Sequence, residues 1–457
     1  GHSLKIMPTL VKLKPYFPKL RIQDFFQYPT IEKMAKKIEK DAIQLQNNIV
    51  ATVEVHKNEN NTHLDKHENK KNWDNLIQVT QQKPRCVLLT GGTGFLGAHI
   101  LEQLLLLPDT LIYCLVRNQK QESFEIKVQE KMKFYFGESI LEKMKHRVKV
   151  IEGDLSHESL GLTPNIKKEL IQEIDTIIHC GGEVRHYGDR EHFIRVNVKS
   201  TQYLIDMSKE ARARFHYIST ISISGHAPHD NEKILFYERD FDRGQQLDNV
   251  YVESKFLAEK LVRKAIKEGV SATVYRVGNL VGHTLDGRFQ ENIEENAFYR
   301  LIKAILLLKM APDIRTCIDL VPIDFGSKAI VQLVCTMETE GETFHIINPV
   351  QLEWKQFIDY VIQMGHPIKI VNTEQFMNLF KDNTLSEKQK YALELIVPLL
   401  EETAKNSLSI PTCKDTQRFL QEVGVLCELP NAKFVSNLVD YGYRIGFFSI
   451  STEYTKI

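Results

Sequence analysis

From Pro84 onward, short apolar runs alternate with amphipathic stretches. CVLLT (86–90), LIYCLV (111–116), VKVIEG (148–153), TIIHC (176–180), RFHYIS (214–219) and SATVYRV (271–277) are β-rich and nearly continuous in hydrophobicity. Strands covered on both faces of a parallel sheet have this pattern. Ala98–Leu107 and Phe193–Glu210, between them, repeat their apolar positions at helical spacing. The alternation predicts an α/β fold, a doubly wound parallel sheet, over residues 84–285. Residues 286–457 read as a mostly helical subdomain that binds substrate, with TFHIIN (343–348) as its return to strand and about 315–350 woven back into the sheet. Within it AFYRLIKAILLLKM (297–310) is apolar over a broad face, which suits core packing or the wall of an acyl channel.

The first 83 residues differ. Residues 1–45 carry apolar positions at helical spacing around Pro15, Pro18 and Pro29, whereas 46–83 are crowded with Asn, Lys, Glu, Gln and His. That second stretch has too few apolar residues to form a core and reads as a linker.

Charge and cysteine usage narrow the class. With 59 basic and 59 acidic residues the formal net charge is zero, so no nucleic-acid partner and no anionic membrane surface is expected. The seven cysteines form no CxxC pair, which fits free thiols in a reducing cytoplasm. Apolar stretches such as Ala304–Leu308 fall far short of the ~18 residues of a membrane span, and no secretory leader is expected.

Candidate chemistry begins where the first strand meets TGGTGFLG (90–97). Gly91, Gly94 and Gly97 follow G-x-x-G-x-x-G between a strand and a helix, the context in which backbone amides approach a pyrophosphate at a helix N-terminus. Thr93, Phe95 and Leu96 belong to the same turn. The second strand ends LIYCLVRN with no acid to take a ribose 2′-hydroxyl. Arg117 stands there instead, a guanidinium suited to a 2′-phosphate, with Lys127 as a second cation. The expected cofactor is therefore NADPH. Asp154 and Leu155 after the third strand, and Gly181 after the fourth, complete its lining, Asp154 as an acceptor from the adenine amino group.

A second motif lies downstream. Tyr251 and Lys255 form Y-x-x-x-K at the start of an amphipathic helix, one turn apart, where the ammonium would lower the phenol pKa and reach the nicotinamide ribose. About thirty residues upstream a strand ends in Ser219-Thr220, followed by Ser222. Thr220 is the chosen donor to a substrate oxygen, with Ser219 and Ser222 as rivals. No metal-ligand cluster is expected. His63 and His67 lie in the polar linker, and His179, His186, His226 and His229 read as structural or surface residues.

With these residues in place, the chain resembles an extended short-chain dehydrogenase with a Rossmann fold. Within that group it is most similar to the terminal thioester reductase domains of non-ribosomal peptide synthetases. The resemblance rests on VLLTGGTGFLGAHILEQLL, CLVR, VIEGDLS followed by GL, IIHCGGEV, FHYISTISISG, the Tyr251/Lys255 pair and VPIDF (321–325). It implies NADPH-dependent release of a carrier-bound acyl or peptidyl thioester as an aldehyde or alcohol. GHSLKIM (1–7) and FFQYPTIEKMAKKI (25–38) resemble the second half of a peptidyl carrier domain, which implies phosphopantetheine on Ser3 and upstream synthetase modules as partners of a monomeric fragment. A fatty acyl-type reductase, a sugar-nucleotide epimerase and an NADP-sensing regulator are the rival readings.

Overall fold

The computed structural model describes residues 79–117, 123–227, 233–379, 382, 384–402 and 408–448, together with 30–39 and positions 9, 13, 17, 20, 24, 25 and 28. Ser3, His63, His67 and His229 lie outside the described residues. The chain divides into two compact units, Gly1–Ile77 with Tyr187–Asp189, and Gln78–His186 with Arg190–Ile457.

In the first unit residues 31–39 are helical, with the Thr30 hydroxyl accepting from Lys33 N at 3.2 Å. Leu20 is buried against Leu13, Phe25, Met34 and Ile38, and Lys37 pairs with Asp24 at 3.2 Å.

The second unit is built on seven parallel strands: β1 (Cys86–Thr90), β2 (Leu111–Val116), β3 (Val148–Glu152), β4 (Thr176–His179), β5 (Arg214–Thr220), β6 (Ala272–Val277) and β7 (Thr343–Ile346). They lie in the order β7-β6-β5-β4-β1-β2-β3. Each apolar run found in the sequence is one of these strands, and TFHIIN supplies the edge strand β7. Chain order reverses between β1 and β4, which pair with Thr90 opposite His179. The carboxyl ends of those two strands open the crevice where ligands of doubly wound sheets bind.

Helices cover both faces. They include α1 (Phe95–Leu106), α2 (Phe124–Phe136), α3 (Pro164–Glu173), α4 (Ser200–Ala211) and α5 (Val250–Lys267), then α6 (Ala297–Leu308), α7 (Ile323–Val334), α8 (Trp354–Gln363), α9 (Glu387–Glu402), α10 (Lys414–Glu422) and α11 (Ala432–Arg444). One apolar core lies against the sheet (Leu88, Ile177, Leu204, Phe215, Val262). A second joins α6, α8 and α11 through Phe298, Tyr299, Phe357, Val435 and Leu438. The apolar face of α6 is therefore core packing.

Three features depart from the sequence expectation. The first helix starts at Phe95 rather than Ala98, because the end of the glycine turn is already helical. The expected helix over 193–210 is broken by a π-helical turn at Ile194–Lys199. Lys233–Phe236 pairs in parallel with Leu408–Pro411, so part of the C-terminal region is tied to the segment between β5 and α5. Residues 80–82, polar in composition, lie along 335–338: Gln82 N donates to Cys335 O at 2.6 Å and Met337 N to Thr80 O at 3.1 Å.

Candidate functional site

The glycine turn leaves β1 at Thr90 and enters α1 at Phe95. Gly91 has φ +75°, and a Cβ there would stand 2.6 Å from both N and Cα of Gly181. At Gly97 it would stand 2.0 Å from Gly91 O. The turn, the loop after β4 and α1 thus close to backbone distance, a cradle any side chain would fill. Gly94 at the start of α1 offers no side-chain cap, which leaves the first amides and the dipole of the helix for an anion such as a pyrophosphate. This geometry fits a dinucleotide. Thr93 is half-buried, Gly94 is exposed and Leu96 is buried. The Phe95 ring turns into an aromatic cluster, 4.9 Å from Phe289 and 5.1 Å from His99 between centroids.

The floor of the cradle is fixed by buried polar groups. Gly181 N donates to Thr90 Oγ1 at 3.1 Å; His179 Nδ1 lies 2.8 Å from the same oxygen, and Nε2 lies 3.1 Å from Thr201 Oγ1. Thr201 gives its own proton to Asn197 O. Nε2 must therefore carry the histidine proton, and Nδ1 accepts from Thr90. Burial pushes this imidazole down to about 3, keeping it neutral.

Arg117 is exposed at the tip of β2. Burial raises the Asp154 carboxyl, but hydrogen bonds from Ser156 N (2.8 Å) and Oγ (2.7 Å), with His157 and Arg117 nearby, bring it below its usual range. Asp154 Oδ1 is thus already committed to Ser156. Leu155 contacts the loop after β4, its Cδ1 lying 2.7 Å from where a Gly181 Cβ would be. Lys127 is half-buried in the first turn of α2.

The second cluster lies at the carboxyl end of β5. Asn249 caps α5, its side chain accepting from Val252 N at 3.0 Å, which places Tyr251 in the first turn and Lys255 one turn on. The Thr220 hydroxyl lies beside the Tyr251 phenol, and Thr220 Oγ1 donates to Ser222 Oγ and accepts from Ser222 N, each at 3.2 Å. Ser219 points the other way, donating to buried Glu259 at 2.7 Å. Of the three hydroxyls, Thr220 is the one beside the phenol. The Lys255 ammonium donates to Ile218 O and lies 4.3 Å from the Tyr217 ring centroid.

One expectation is corrected. Lys255 does not lower the phenol: burial pushes Tyr251 up to about 12, against the lowering effect of the nearby Thr220 hydroxyl, so it is protonated at neutral pH. The ammonium is directed at a carbonyl and a ring rather than at the phenol oxygen. Burial also pushes Lys255 down to about 8, opposed by Cys180 and Glu259. Exposed His186 lies face to face with Tyr251, centroids 6.1 Å apart and planes 9° from parallel.

Sequence reasoning missed Asn197. It sits in the π-helical turn, accepts from Glu183 N at 2.7 Å, and donates to Glu183 O at 2.9 Å and Ser254 Oγ at 2.8 Å. Ser254 Oγ in turn donates to Tyr251 O at 2.7 Å. Both N–H donors and the carbonyl oxygen of the amide are used to tie the loop after β4 to the helix that carries Tyr251. An asparagine inside a helical pattern gives no periodic signal, and only the extra residue of a π turn aims it inward. Among the described residues no group of His, Cys, Asp and Glu could hold a metal, and no helix is long and apolar enough to cross a membrane.

The family described as Male sterility protein, an NAD-binding family, matches residues 89–330, more than half of the chain. A component of the linear gramicidin synthase of Brevibacillus parabrevis is 25% identical over 98% of the chain, which spans 9% of that protein's length. Among solved structures, a thiolation-reductase di-domain from an archaeal non-ribosomal peptide synthetase is 26% identical with a TM-score of 0.79, covering 98% of this chain and 92% of the other. The terminal R domain from the myxalamid PKS-NRPS pathway is 26% identical with a TM-score of 0.70, covering 81% and 93%. The glycine turn and these likenesses agree: the chain belongs to the NAD-binding family described as Male sterility protein and is a nicotinamide-dependent oxidoreductase.

Proposed function

We propose that the chain is the terminal reductase of a non-ribosomal peptide synthetase, using NADPH in the cytoplasm to release an acyl or peptidyl thioester from a phosphopantetheine arm as an aldehyde. The observation that carries this reading is the placement of Thr220, at the end of β5, beside Tyr251, with Lys255 one turn along α5. The two hydroxyls would bind the thioester carbonyl oxygen. In a buried site such donors stabilise the negative charge that develops on that oxygen far more than they would in water. When bound, the reduced nicotinamide supplies hydride to the carbonyl carbon. Tyr251, protonated at neutral pH, gives its proton to the oxygen, leaving a thiohemiacetal. Collapse of that species breaks the carbon–sulfur bond and releases aldehyde and free thiol. Preference for NADPH is supported by Arg117 and by the missing acid at the end of β2. Arm attachment at Ser3 and delivery from upstream modules are supported by the carrier-like residues 1–7 and 25–38.

The test combines the protein with NADPH and an acyl pantetheine thioester and follows the nicotinamide absorbance, with products identified by mass. Steady oxidation with aldehyde release is expected, and Tyr251→Phe should lower it by about 10²–10⁴-fold. Tight NADPH binding without turnover would contradict the proposal and favour a nucleotide sensor.

A further inference from the structure

α5 presents a third group on the face that holds Tyr251 and Lys255. Glu259, one further turn along, is wholly buried. Its Oε2 accepts from Ser219 Oγ at 2.7 Å, while Oε1 accepts from Arg276 Nη2 at 2.7 Å and from Arg263 Nε at 3.0 Å. Arg276, equally buried on β6, directs its other donors to Asp240 O at 2.6 Å, Glu238 O at 3.4 Å and His345 Nε2 at 3.0 Å. A guanidinium only donates, so His345 accepts at Nε2 and bonds Thr412 O through Nδ1. Burial pushes this imidazole down to about 3.

Lys255 is buried in the same region and needs an anion if it is to stay charged. The groups that face it are His179 and Cys180 at the end of β4, Tyr217 on β5, and Glu259 on its own helix, with Tyr251 one turn before it. Burial holds His179 at about 3, Cys180 and Tyr251 at about 12, and Tyr217 well above its usual value, so none of these four is an anion at neutral pH. Glu259 is held down to about 2 despite burial, by Arg276, Arg263 and Ser219.

Taking Tyr251 and Lys255 as the catalytic pair proposed above, we infer that Glu259 is a positioning residue for reduction. It keeps the Lys255 ammonium charged inside the protein and draws Ser219 out of the crevice, leaving Thr220 and Tyr251 to face the carbonyl. Lys255 is charged below its pKa, so the rate should hold through neutrality and fall as pH rises past about 8. A unit charge one helical turn away moves such a midpoint by on the order of one to two pH units.

pH–rate profiles with NADPH and an acyl pantetheine thioester test this. In Glu259→Gln the alkaline fall should begin on the order of one pH unit lower. Glu259→Asp, which keeps the charge, should retain the wild-type midpoint even where kcat drops. Loss of activity in Glu259→Gln with an unmoved midpoint, or an equal shift in Glu259→Asp, would overturn the inference. Should Glu259→Gln not fold, Arg263→Met, which removes a partly exposed cation, carries the test: an upward shift supports the role, and no shift or a downward one refutes it. If the wild type reduces no thioester, the functional proposal fails first. Competitive acetylation of the Lys255 amine, read by mass spectrometry, then decides: a lower midpoint in Glu259→Gln sustains the inference, and an unchanged one ends it.

Discussion

Ser219 and Thr220 are neighbours with the same chemical group, yet one is structural and the other faces the crevice. Successive side chains of a strand point in opposite directions, and here Ser219 turns to the buried Glu259 carboxylate, while Thr220, the last residue of β5, meets Ser222 at the strand end beside the Tyr251 phenol. The sequence places both hydroxyls at a strand end but cannot say which face is which, since that depends on a carboxylate forty residues downstream. Motif spacing made Tyr251, Lys255 and the three glycines legible. The phenol's protonation was not, because burial outweighs a nearby charge that is turned elsewhere. Under the proposed preference for NADPH, cofactor choice turns on Arg117: Arg117→Ala should raise the KM for NADPH by about 10–100-fold, the loss of a charge-assisted phosphate contact, while NADH is little affected. Parallel steady-state kinetics with the two nucleotides check this.

At the level of elements, hydrophobic runs identified every strand of the main sheet, since strands buried on both faces must be apolar throughout; only the edge strand β3, with Lys149 and Glu152 exposed, is less fully covered. Elements that depend on partners distant in sequence were not legible. Lys233–Phe236 and Leu408–Pro411 are short and become strands only by pairing with each other. The π-helical turn around Asn197 differs from an ordinary helix by one residue of phase, which apolar spacing does not resolve. The packing of α1 on the glycine turn yields the clearest expectation at this scale. An alanine methyl at Gly97 would stand 2.0 Å from Gly91 O, so the turn or the helix must move. Gly97→Ala should destabilise the protein by about 1–3 kcal/mol, as overpacking does. It should also weaken NADPH binding, to be read by calorimetric titration alongside thermal melting.

Across the whole molecule, buried imidazoles set the response to acid. Burial holds His99 at about 4 and His179 and His345 at about 3. An unfolded chain would bind protons at these sites from about pH 6.5 downward while the folded one does not. Stability therefore falls as pH drops from about 6.5 toward 4, by up to about 2 kcal/mol per histidine at pH 5. Thermal melts at pH 7 and pH 5 should show a marked drop in Tm; equal values would contradict the neutral, buried assignment. Two of the three lie in the site's supporting structure: His179 beneath the cradle and His345 behind Arg276. Acid should thus disturb catalysis and stability together.

Reduction as proposed passes hydride from NADPH to a thioester carbonyl held by Thr220 and Tyr251, and an isotopic label follows that transfer. The reaction combines NADPH deuterated at the transferable nicotinamide position with an acyl pantetheine thioester, and the released product is analysed by mass. An aldehyde carrying one deuterium on its carbonyl carbon is expected from the wild type, and almost none from Tyr251→Phe. Released acid without deuterium, or label retained in the nucleotide while the thioester stays intact, would rule this chemistry out.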